Sequence, residues 1–184
     1  MERRVVRVGT RKSPLALWQT RWVIGRLSET WPEIQFEEVP MVTQGDLLLD
    51  RPLDQAGGRG LFVAEMEEAL LRGEIDLAVH SMKDLPIDLA PGLTLGPVPP
   101  RADARDLLVT RHGWQSLNDL PHRARVGTSS PRRRAQLLAC RPDLEILPVR
   151  GNLGTRLRKL DEGEVEGLVL AAAGLERMGY EVQG

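Results

Sequence analysis

The chain has 184 residues and a formal net charge of −1, with 25 basic and 26 acidic side chains. This balance argues against binding nucleic acid through overall basicity, and a single cysteine excludes a secreted fold held together by disulfides. One cysteine and three histidines also fall short of a structural zinc site, so we expect no bound metal. No segment has the apolar length of a signal peptide or a membrane span, which favours a cytoplasmic protein without a membrane partner.

The first half of the chain alternates predicted strands and helices. Residues 4–8 form a short β-branched run, and Ser13 and Pro14 suit the start of a helix. Apolar residues then recur at helical spacing at Leu15, Trp18, Trp22, Val23 and Leu27. The further predicted elements of this half are a strand over 37–42, a helix over 63–72 and a buried strand over 75–80.

The second half follows the same plan after a proline-rich stretch. Residues 96–101 contain three prolines and predict a boundary between a first lobe, 1–99, and a second lobe, 100–184. The predicted elements of the second lobe are strands over 125–127, 145–149 and 167–171 and helices over 131–140 and 156–162. This alternation predicts an α/β fold of two similar lobes with mostly parallel sheets, helices on both sheet faces and a ligand cleft between the lobes.

Three short patterns occur twice in the same order, which indicates an internal duplication. The paired segments are 7–10 and 125–128, each followed by Ser-Pro; 32–34 and 142–144; and 73–79 and 163–169. The two lobes are therefore expected to share one plan.

Arginine is the unusual component, because 22 of the 25 basic residues are arginine. Several arginines lie where a predicted strand turns into a helix, namely Arg11, Arg132, Arg133, Arg134, Arg150 and Arg156. A cation in the first turn of a helix opposes the helix dipole. A bound polyanion would remove this conflict, since backbone N–H groups and guanidinium forks would face the same negative charge. Ion pairs with surface carboxylates are the alternative.

Three other features have a chemical interpretation. Residues 80–84, His-Ser-Met-Lys-Asp, place a lysine and a carboxylate at the end of a predicted strand; an ordinary ion pair is the alternative, and His80 is interpreted as a packing residue. The glycine-rich segment 57–60 lacks the ending of a phosphate-binding loop and is interpreted as a mobile lid. Cys140, late in a helix, is predicted to be a buried structural thiol.

Together these segments resemble the porphobilinogen deaminase (hydroxymethylbilane synthase) family. The similar motifs are 11–19, 57–62, 80–86, 127–130 and 150–156, and the similarity extends from Arg7 to about Gly179. The resemblance implies the two-lobed fold of type II periplasmic binding proteins, followed by a third domain. It also implies a transferase of tetrapyrrole and haem biosynthesis, which joins porphobilinogen units into a linear tetrapyrrole and releases ammonia.

The resemblance assigns roles to the residues at matching positions. Asp84 matches the catalytic aspartate, and Lys83 a lysine that binds the covalently held dipyrromethane cofactor. Phe62 matches an aromatic residue that packs near the incoming ring, beside the lid glycines Gly57, Gly58 and Gly60. The residues that match carboxylate-binding positions are Arg11, Ser13, Ser129, Arg132, Arg133, Arg150, Arg156 and Arg177.

The chain differs from the family mainly in length. Family members are considerably longer, and they continue with a segment that completes the first lobe and with a third domain that carries the attachment cysteine. Cys140 does not stand at that position. If the chain is complete as given, we expect no covalent dipyrromethane and little turnover. The resemblance implies a monomer.

Two other functions remain open. A non-catalytic module of periplasmic-binding type would hold a small polycarboxylate without reaction, although pure binding of a polyanion does not require Asp84. Nucleic-acid binding through residues 132–134 would require exposed aromatic side chains or a long basic stripe, and an aromatic content of 4% argues against it.

Overall fold

The computed structural model describes residues 4–43, 45 and 63–181. The chain divides into two units between Pro99 and Pro100, in the proline-rich stretch, and each unit has its own sheet. The elements of the first unit are β1 (Val5–Arg11), α1 (Pro14–Thr30), β2 (Gln35–Met41), α2 (Ala64–Leu71), β3 (Leu77–Ala78) and a 3₁₀ turn (Met82–Asp84). Its sheet is parallel, with the strand order β2-β1-β3.

The second unit repeats this arrangement and adds to it. Its elements are β4 (Asp106–Thr110), a 3₁₀ turn (Leu117–Asp119), β5 (Arg125–Gly127), α3 (Pro131–Cys140), β6 (Glu145–Leu147), α4 (Leu153–Asp161), β7 (Gly167–Ala171) and α5 (Ala172–Arg177). The strand order is β4-β7-β5-β6, in which only β4 is antiparallel to its neighbour. The order β6-β5-β7 matches β2-β1-β3, as the duplication predicts.

The duplication extends to an ion pair at the start of each central strand. The Asp76 carboxylate accepts hydrogen bonds from the Arg7 backbone N–H at 2.7 Å and from its guanidinium at 3.0 Å. Glu166 accepts the same two kinds of hydrogen bond from Arg125. These bonds from Arg7 and Arg125 hold the pKa of each carboxyl below its ordinary value. The pairs therefore fasten β1 and β5 to the chain that enters β3 and β7.

Several predicted bounds differ from the observed ones, and two of the differences have a side-chain cause. The strand predicted over 75–80 is only Leu77–Ala78, which is half-buried; Ile75 is buried outside the strand, and Asp76 uses its carboxylate for Arg7. The helix predicted over 156–162 begins at Leu153, because the Asn152 side chain caps it by accepting the Thr155 N–H at 2.9 Å.

Besides the 3₁₀ turn Leu117–Asp119, two elements of the second unit were not predicted. Strand β4 follows the proline-rich stretch and pairs with β7, which lies about sixty residues later in the chain. Helix α5 follows β7 without a loop, since Ala171 ends the strand and also serves as the N-cap.

The core of the second unit lies on both faces of its sheet. Successive residues of β7 point to opposite faces: Val169 packs in one cluster with Val126 and Leu137, and Leu168 and Leu170 pack in the other. A β-strand with buried residues on both faces explains why 167–171 reads as a continuous apolar run.

Gly127 allows the close packing at the end of β5, and we expect Gly127→Ala to destabilise the second unit. A Cβ at this position would lie 2.6 Å from both Leu168 Cδ2 and Val149 Cγ2, so the core would have to shift. The free energy of unfolding should fall by about 1–3 kcal/mol in urea denaturation. Gly154→Ala is the matched control in the same unit, because its Cβ would meet only Asn152 Oδ1 at 3.6 Å. Equal stability of the two variants would contradict the expectation.

Candidate functional site

In the first unit, the predicted site residues gather at one edge of the sheet. Arg11 ends β1, and the Ser13 hydroxyl caps α1 by accepting the Ala16 N–H at 3.3 Å. The segment after β3 carries Lys83 and Asp84 in a 3₁₀ turn, where both are exposed. Because β1 and β3 are neighbouring parallel strands, the loops that follow them leave the same edge of the sheet.

Two side-chain hydrogen bonds connect α1, which follows the loop after β1, to the segment after β3. The Gln19 amide donates to Ser81 Oγ at 3.1 Å, and the Ser81 hydroxyl lies 3.3 Å from Gln19 Oε1, to which it donates. Ser81 is the N-cap of the turn Met82–Asp84, so Gln19 on α1 fixes the start of that turn. The sequence analysis did not identify this pair; the only signal was the position of Gln19 in α1, six residues after the Ser13 cap.

His80 lies next to the charged residues of this edge. Burial lowers the pKa of His80 below its ordinary value of 6.5; the Asp84 carboxylate opposes this change and the Arg11 guanidinium adds to it. The fold therefore favours a neutral imidazole. Arg11 and Asp84 both lie near enough to His80 to affect its pKa, so the structure brings the three residues together within the first unit.

In the second unit, the residues of the predicted site follow the ends of β5 and β6. Ser130 caps α3 by accepting the Arg133 N–H at 3.4 Å, as Ser13 caps α1. The Ser129 hydroxyl donates to the Val149 carbonyl at 2.9 Å, which joins the loop after β5 to the end of the β6 region. Arg150 follows directly, so Ser129 and Arg150 belong to one edge of the sheet.

The charge conflict at the start of α3 is resolved by an internal carboxylate. Asp106 accepts from Arg132 Nη2 and from Arg133 Nη2, both at 2.6 Å. Arg133 also donates to the Val169 carbonyl at 2.9 Å and is 12% exposed, whereas Arg132 is 61% exposed. Burial opposes ionisation of Asp106, but the hydrogen bonds from Arg133 and Arg132 outweigh it and lower its pKa. Ion pairing, the alternative left open above, therefore applies to both arginines.

Asp106 is the main residue that the sequence analysis missed. It lies on β4, the unpredicted antiparallel strand, and meets α3 only through the pairing of β4 with β7. No local pattern around Asp106 indicates this contact, because its partners lie 26 and 27 residues away.

Arg150 has a different environment from the paired arginines. Its Nη1 is buried and has no hydrogen-bond partner among the residues that the structure describes. A buried donor without an acceptor is costly, so this guanidinium is suited to receive an anion. Nearby in the chain, Arg156 Nε donates to the Gly151 carbonyl at 2.9 Å, and Gly151 adopts a φ of 103° that favours glycine.

The remaining predicted residues fall into three groups. Arg177 is the last residue of α5, and its side chain has an interaction partner. Phe62 and the lid glycines Gly57, Gly58 and Gly60 lie outside the described residues. Cys140 was predicted to be buried and is exposed: it is the last residue of α3, and although it lies on the same face as the buried Leu137, the core does not extend to this end of the helix.

Other site types find no support within the described ranges. In 4–43, 45 and 63–181, no cluster of three or more His, Cys, Asp or Glu side chains is placed to hold a metal ion. Among the same residues, no helix has the length and apolar character needed to cross a bilayer.

The sequence comparisons agree with one another. The family model described as "Porphobilinogen deaminase, dipyromethane cofactor binding domain" matches residues 6–183. The porphobilinogen deaminase of Syntrophotalea carbinolica is 56% identical over 178 residues, which cover 97% of this chain and 56% of the relative. The chloroplastic porphobilinogen deaminase of Euglena gracilis is 54% identical over 179 residues, covering 96% of this chain and 37% of the relative. The chain thus spans about half the length, or less, of these relatives.

The structural comparison concerns the fold alone. The periplasmic aliphatic sulphonate-binding protein SsuA from Escherichia coli superposes with a TM-score of 0.50 at 17% identity, covering 96% of this chain and 54% of SsuA. The predicted α/β class, with mostly parallel sheets of the periplasmic-binding type, is confirmed.

The electrostatic contacts of His80 give a direct test of the first-unit edge. We expect Asp84→Asn to lower the pKa of His80 further and Arg11→Gln to raise it, because the first removes a stabilising anion and the second a destabilising cation. The chain has only three histidines, so NMR titration can resolve His80. Asp88→Asn in the same segment is the control and should leave the pKa unchanged. Because the fold lowers the pKa of His80 below 6.5, the contribution of the neutral imidazole to stability is complete above pH 6.5. This contribution is lost as the pH falls through the folded pKa, since the unfolded chain takes up the proton more readily.

Asp106, Arg132 and Arg133 form a cluster, here called the Asp106 cluster, which is tested by removing the Asp106 carboxylate. Asp106→Asn should reduce the free energy of unfolding by about 2 kcal/mol, because Arg133 would keep its buried charge and lose its carboxylate partner. Asp103→Asn is the control, since it removes a pair with Arg105 that is 62% exposed on the arginine side. A loss no larger than that of Asp103→Asn would show that the cluster does not stabilise the unit.

Proposed function

Since this chain belongs to the porphobilinogen deaminase family, we propose that it provides the substrate- and cofactor-binding part of an enzyme that condenses porphobilinogen into hydroxymethylbilane. The observation that supports this most directly is the buried Arg150 Nη1, which has no hydrogen-bond partner among the described residues. It stands at the carboxyl edge of the second sheet, next to the Val149 carbonyl that Ser129 contacts. A carboxylate is the acceptor that such a guanidinium suits best.

The substrate class explains the arginine content of these edges. Each pyrrole unit carries an acetate and a propionate side chain, so a growing chain of pyrroles is a polycarboxylate. Arg11 in the first unit and Arg132, Arg150 and Arg156 in the second provide planar donors for these groups, with Ser13 and Ser129 nearby in the chain. Arg132, which is mostly exposed, can leave Asp106 for a substrate carboxylate at small cost. Arg133 is held more firmly, so we assign it to orienting Asp106 as well as to binding.

The residues present fit the carboxylates of a dipyrromethane, but not its covalent attachment. The family model that matches the chain is described as a domain for this cofactor. Lys83 is exposed beside Asp84, and Arg150 offers its unpartnered donor. Cys140 is the last residue of α3, about 15 Å along the helix from the Ser130 cap, so it lies away from this edge. When bound, the dipyrromethane supplies the pyrrole carbon to which the first substrate unit is joined.

Asp84 is the proposed catalytic residue. The bond between the aminomethyl carbon and nitrogen of porphobilinogen breaks, ammonia leaves, and the pyrrole nitrogen donates its electron pair to give a cationic azafulvene. A fixed carboxylate beside the pyrrole N–H stabilises this charge as it develops and orients the ring for attack. The Gln19–Ser81 hydrogen bond fixes the start of the turn that carries Asp84, and His80, neutral through burial, does not neutralise it. Phe62 and the glycines of 57–60 are proposed to cover the ring.

The wider setting follows from the same chemistry. We place the reaction in tetrapyrrole biosynthesis, which includes haem formation, and we propose a cytoplasmic location and a monomer. A composition with one unpaired cysteine is consistent with a reducing compartment.

Binding is tested on the 184-residue chain with porphobilinogen in calorimetry. Arg150→Gln should weaken binding by roughly 10- to 100-fold, because a charge-assisted bond in a desolvated position is lost. Arg134→Gln is the matched control, since Arg134 is an exposed arginine on α3 outside the proposed set. If both variants bind as the unaltered chain does, the proposed role of Arg150 is wrong.

Catalysis is tested in the same chain continued by the part of the Syntrophotalea carbinolica relative that it does not cover. Asp84→Asn should retain porphobilinogen binding and lower ammonia release by roughly a factor of 100 or more. Coupled detection of ammonia and porphyrin absorbance after oxidation measure the two products. Binding without ammonia release in both forms would favour the alternative function, a non-catalytic polycarboxylate-binding module.

A further inference from the structure

Asp106 places a negative charge at the edge of the second sheet where we propose that a polycarboxylate binds. The register of the antiparallel pair β4–β7 sets Asp106, the first residue of β4, beside Ala171, the last residue of β7. Because β7 is parallel to β5, this end of β7 lies at the edge from which Ser129 and the start of α3 follow β5. A carboxylate at that edge repels an anionic ligand, so Asp106 acts against the binding for which the neighbouring cations are suited.

The two arginines of the Asp106 cluster share its carboxylate unequally. Arg133 Nη2 donates to Asp106 Oδ1 at 2.6 Å and Nη1 to the Val169 carbonyl at 2.9 Å, and the side chain is only 12% exposed. Arg132 Nη2 donates to Asp106 Oδ2 at 2.6 Å and Nη1 to the Gln136 side-chain oxygen at 3.0 Å, and the side chain is 61% exposed. A backbone carbonyl thus anchors Arg133, whereas Arg132 has only side-chain partners.

The difference in exposure decides which of the two pairs exchanges. Water screens the pair of a mostly exposed arginine, so Arg132 can pass from Asp106 to a ligand carboxylate with no change in the number of ion pairs. Separation of Asp106 from Arg133 would leave a mostly buried charge without its anion, which is strongly unfavourable. Binding of an anion at this edge therefore replaces the partner of Arg132 and leaves that of Arg133 in place.

We propose that Asp106 is a positioning residue that acts as an internal competitor: it occupies Arg132 in the free protein and yields it to a carboxylate of the bound pyrrole, while it continues to hold Arg133. This inference rests on the function proposed above, since it requires that the second unit binds pyrrole carboxylates. The competitor lowers the affinity of the edge for anions, which suits a site whose polycarboxylate product has to leave. Loss of the Asp106 charge should therefore strengthen binding, although it weakens the fold.

Calorimetry with porphobilinogen on the 184-residue chain measures the competition. Asp106→Asn should tighten binding roughly three- to tenfold, because Arg132 is then free for the ligand and the repulsion is gone. A residue with only a structural role would weaken binding when removed, so the direction of the change separates the two roles. Asp103→Asn is the matched control: it removes the same charge three residues earlier, from an exposed pair with Arg105, and should change affinity less than twofold. Unchanged or weaker binding in Asp106→Asn, or equal tightening in both variants, overturns the proposal.

A double-mutant cycle with Arg132→Gln tests the exchange itself. In the unaltered chain, Arg132 gains a ligand carboxylate and loses Asp106, so its replacement should weaken binding only slightly. In the Asp106→Asn background, Arg132 gains the ligand without a loss, and Arg132→Gln should weaken binding at least threefold more than in the unaltered chain. Equal effects of Arg132→Gln in the two backgrounds would show that Arg132 does not change partners, and would overturn the proposal.

Thermal denaturation with and without porphobilinogen extends the test to a weakly stable variant. At equal ligand concentration, the rise of the denaturation midpoint should be larger in Asp106→Asn than in the unaltered chain, because the tighter ligand stabilises the fold more; a smaller rise overturns the proposal. Arg150→Gln on the same samples identifies which proposal fails. If Arg150→Gln weakens binding and Asp106→Asn does not tighten it, the internal competitor is wrong and the proposed function stands. If the unaltered chain and all variants fail to bind porphobilinogen, both are wrong.

Discussion

Parallel pairing of each central strand with both neighbours is the constraint on which the candidate site depends. Because β1 lies between β2 and β3, the loops that carry Arg11 and Asp84 leave one edge of the first sheet. The same relation of β5 to β6 and β7 places Ser129 and Arg150 at one edge of the second sheet. Each edge then combines cations and hydroxyl groups that are distant in the chain. The Arg7–Asp76 and Arg125–Glu166 pairs fasten these strands at their other ends.

The arginines divide into those that pair with internal carboxylates and those that have no assigned structural role. Arg7, Arg125 and Arg141 have internal carboxylate partners, and Asp106 holds Arg132 and Arg133. Arg150 keeps one buried donor without a partner among the described residues. A count of arginines therefore overstates the cationic surface that a substrate would meet. Within the described part of the chain, Arg133 Nε is also buried without a partner, but the Nη atoms of Arg133 are bound to Asp106 and to the Val169 carbonyl. Arg150 therefore fits a binding role better, since its donor is already desolvated before the anion arrives.

Local patterns were sufficient for most of the fold. The helix Pro131–Cys140 and the strands Arg125–Gly127 and Gly167–Ala171 have the predicted bounds, because a Ser-Pro start and continuous apolar runs are local signals. Bounds failed where a side chain competed with the backbone pattern, as at Asp76 and Asn152. The site residues assigned by the family motifs remain predictions, although the structure gathers them by unit. The prediction that Cys140 is buried was wrong, because it relied on the apolar residues that precede Cys140 in the chain.

The sequence by itself determined the class of fold, the duplication and the family, because each depends on order and spacing along the chain. Tertiary structure decided which arginines already pair with a carboxylate of the chain itself. The Asp106 cluster and the Gln19–Ser81 hydrogen bond join residues between 26 and 62 positions apart, and no local pattern encodes such contacts. Tertiary structure also decided that Trp18 and Trp22, on the apolar stripe of α1, are 38% and 39% exposed. Helical spacing predicts that apolar residues share a side, but only packing determines whether anything covers that side.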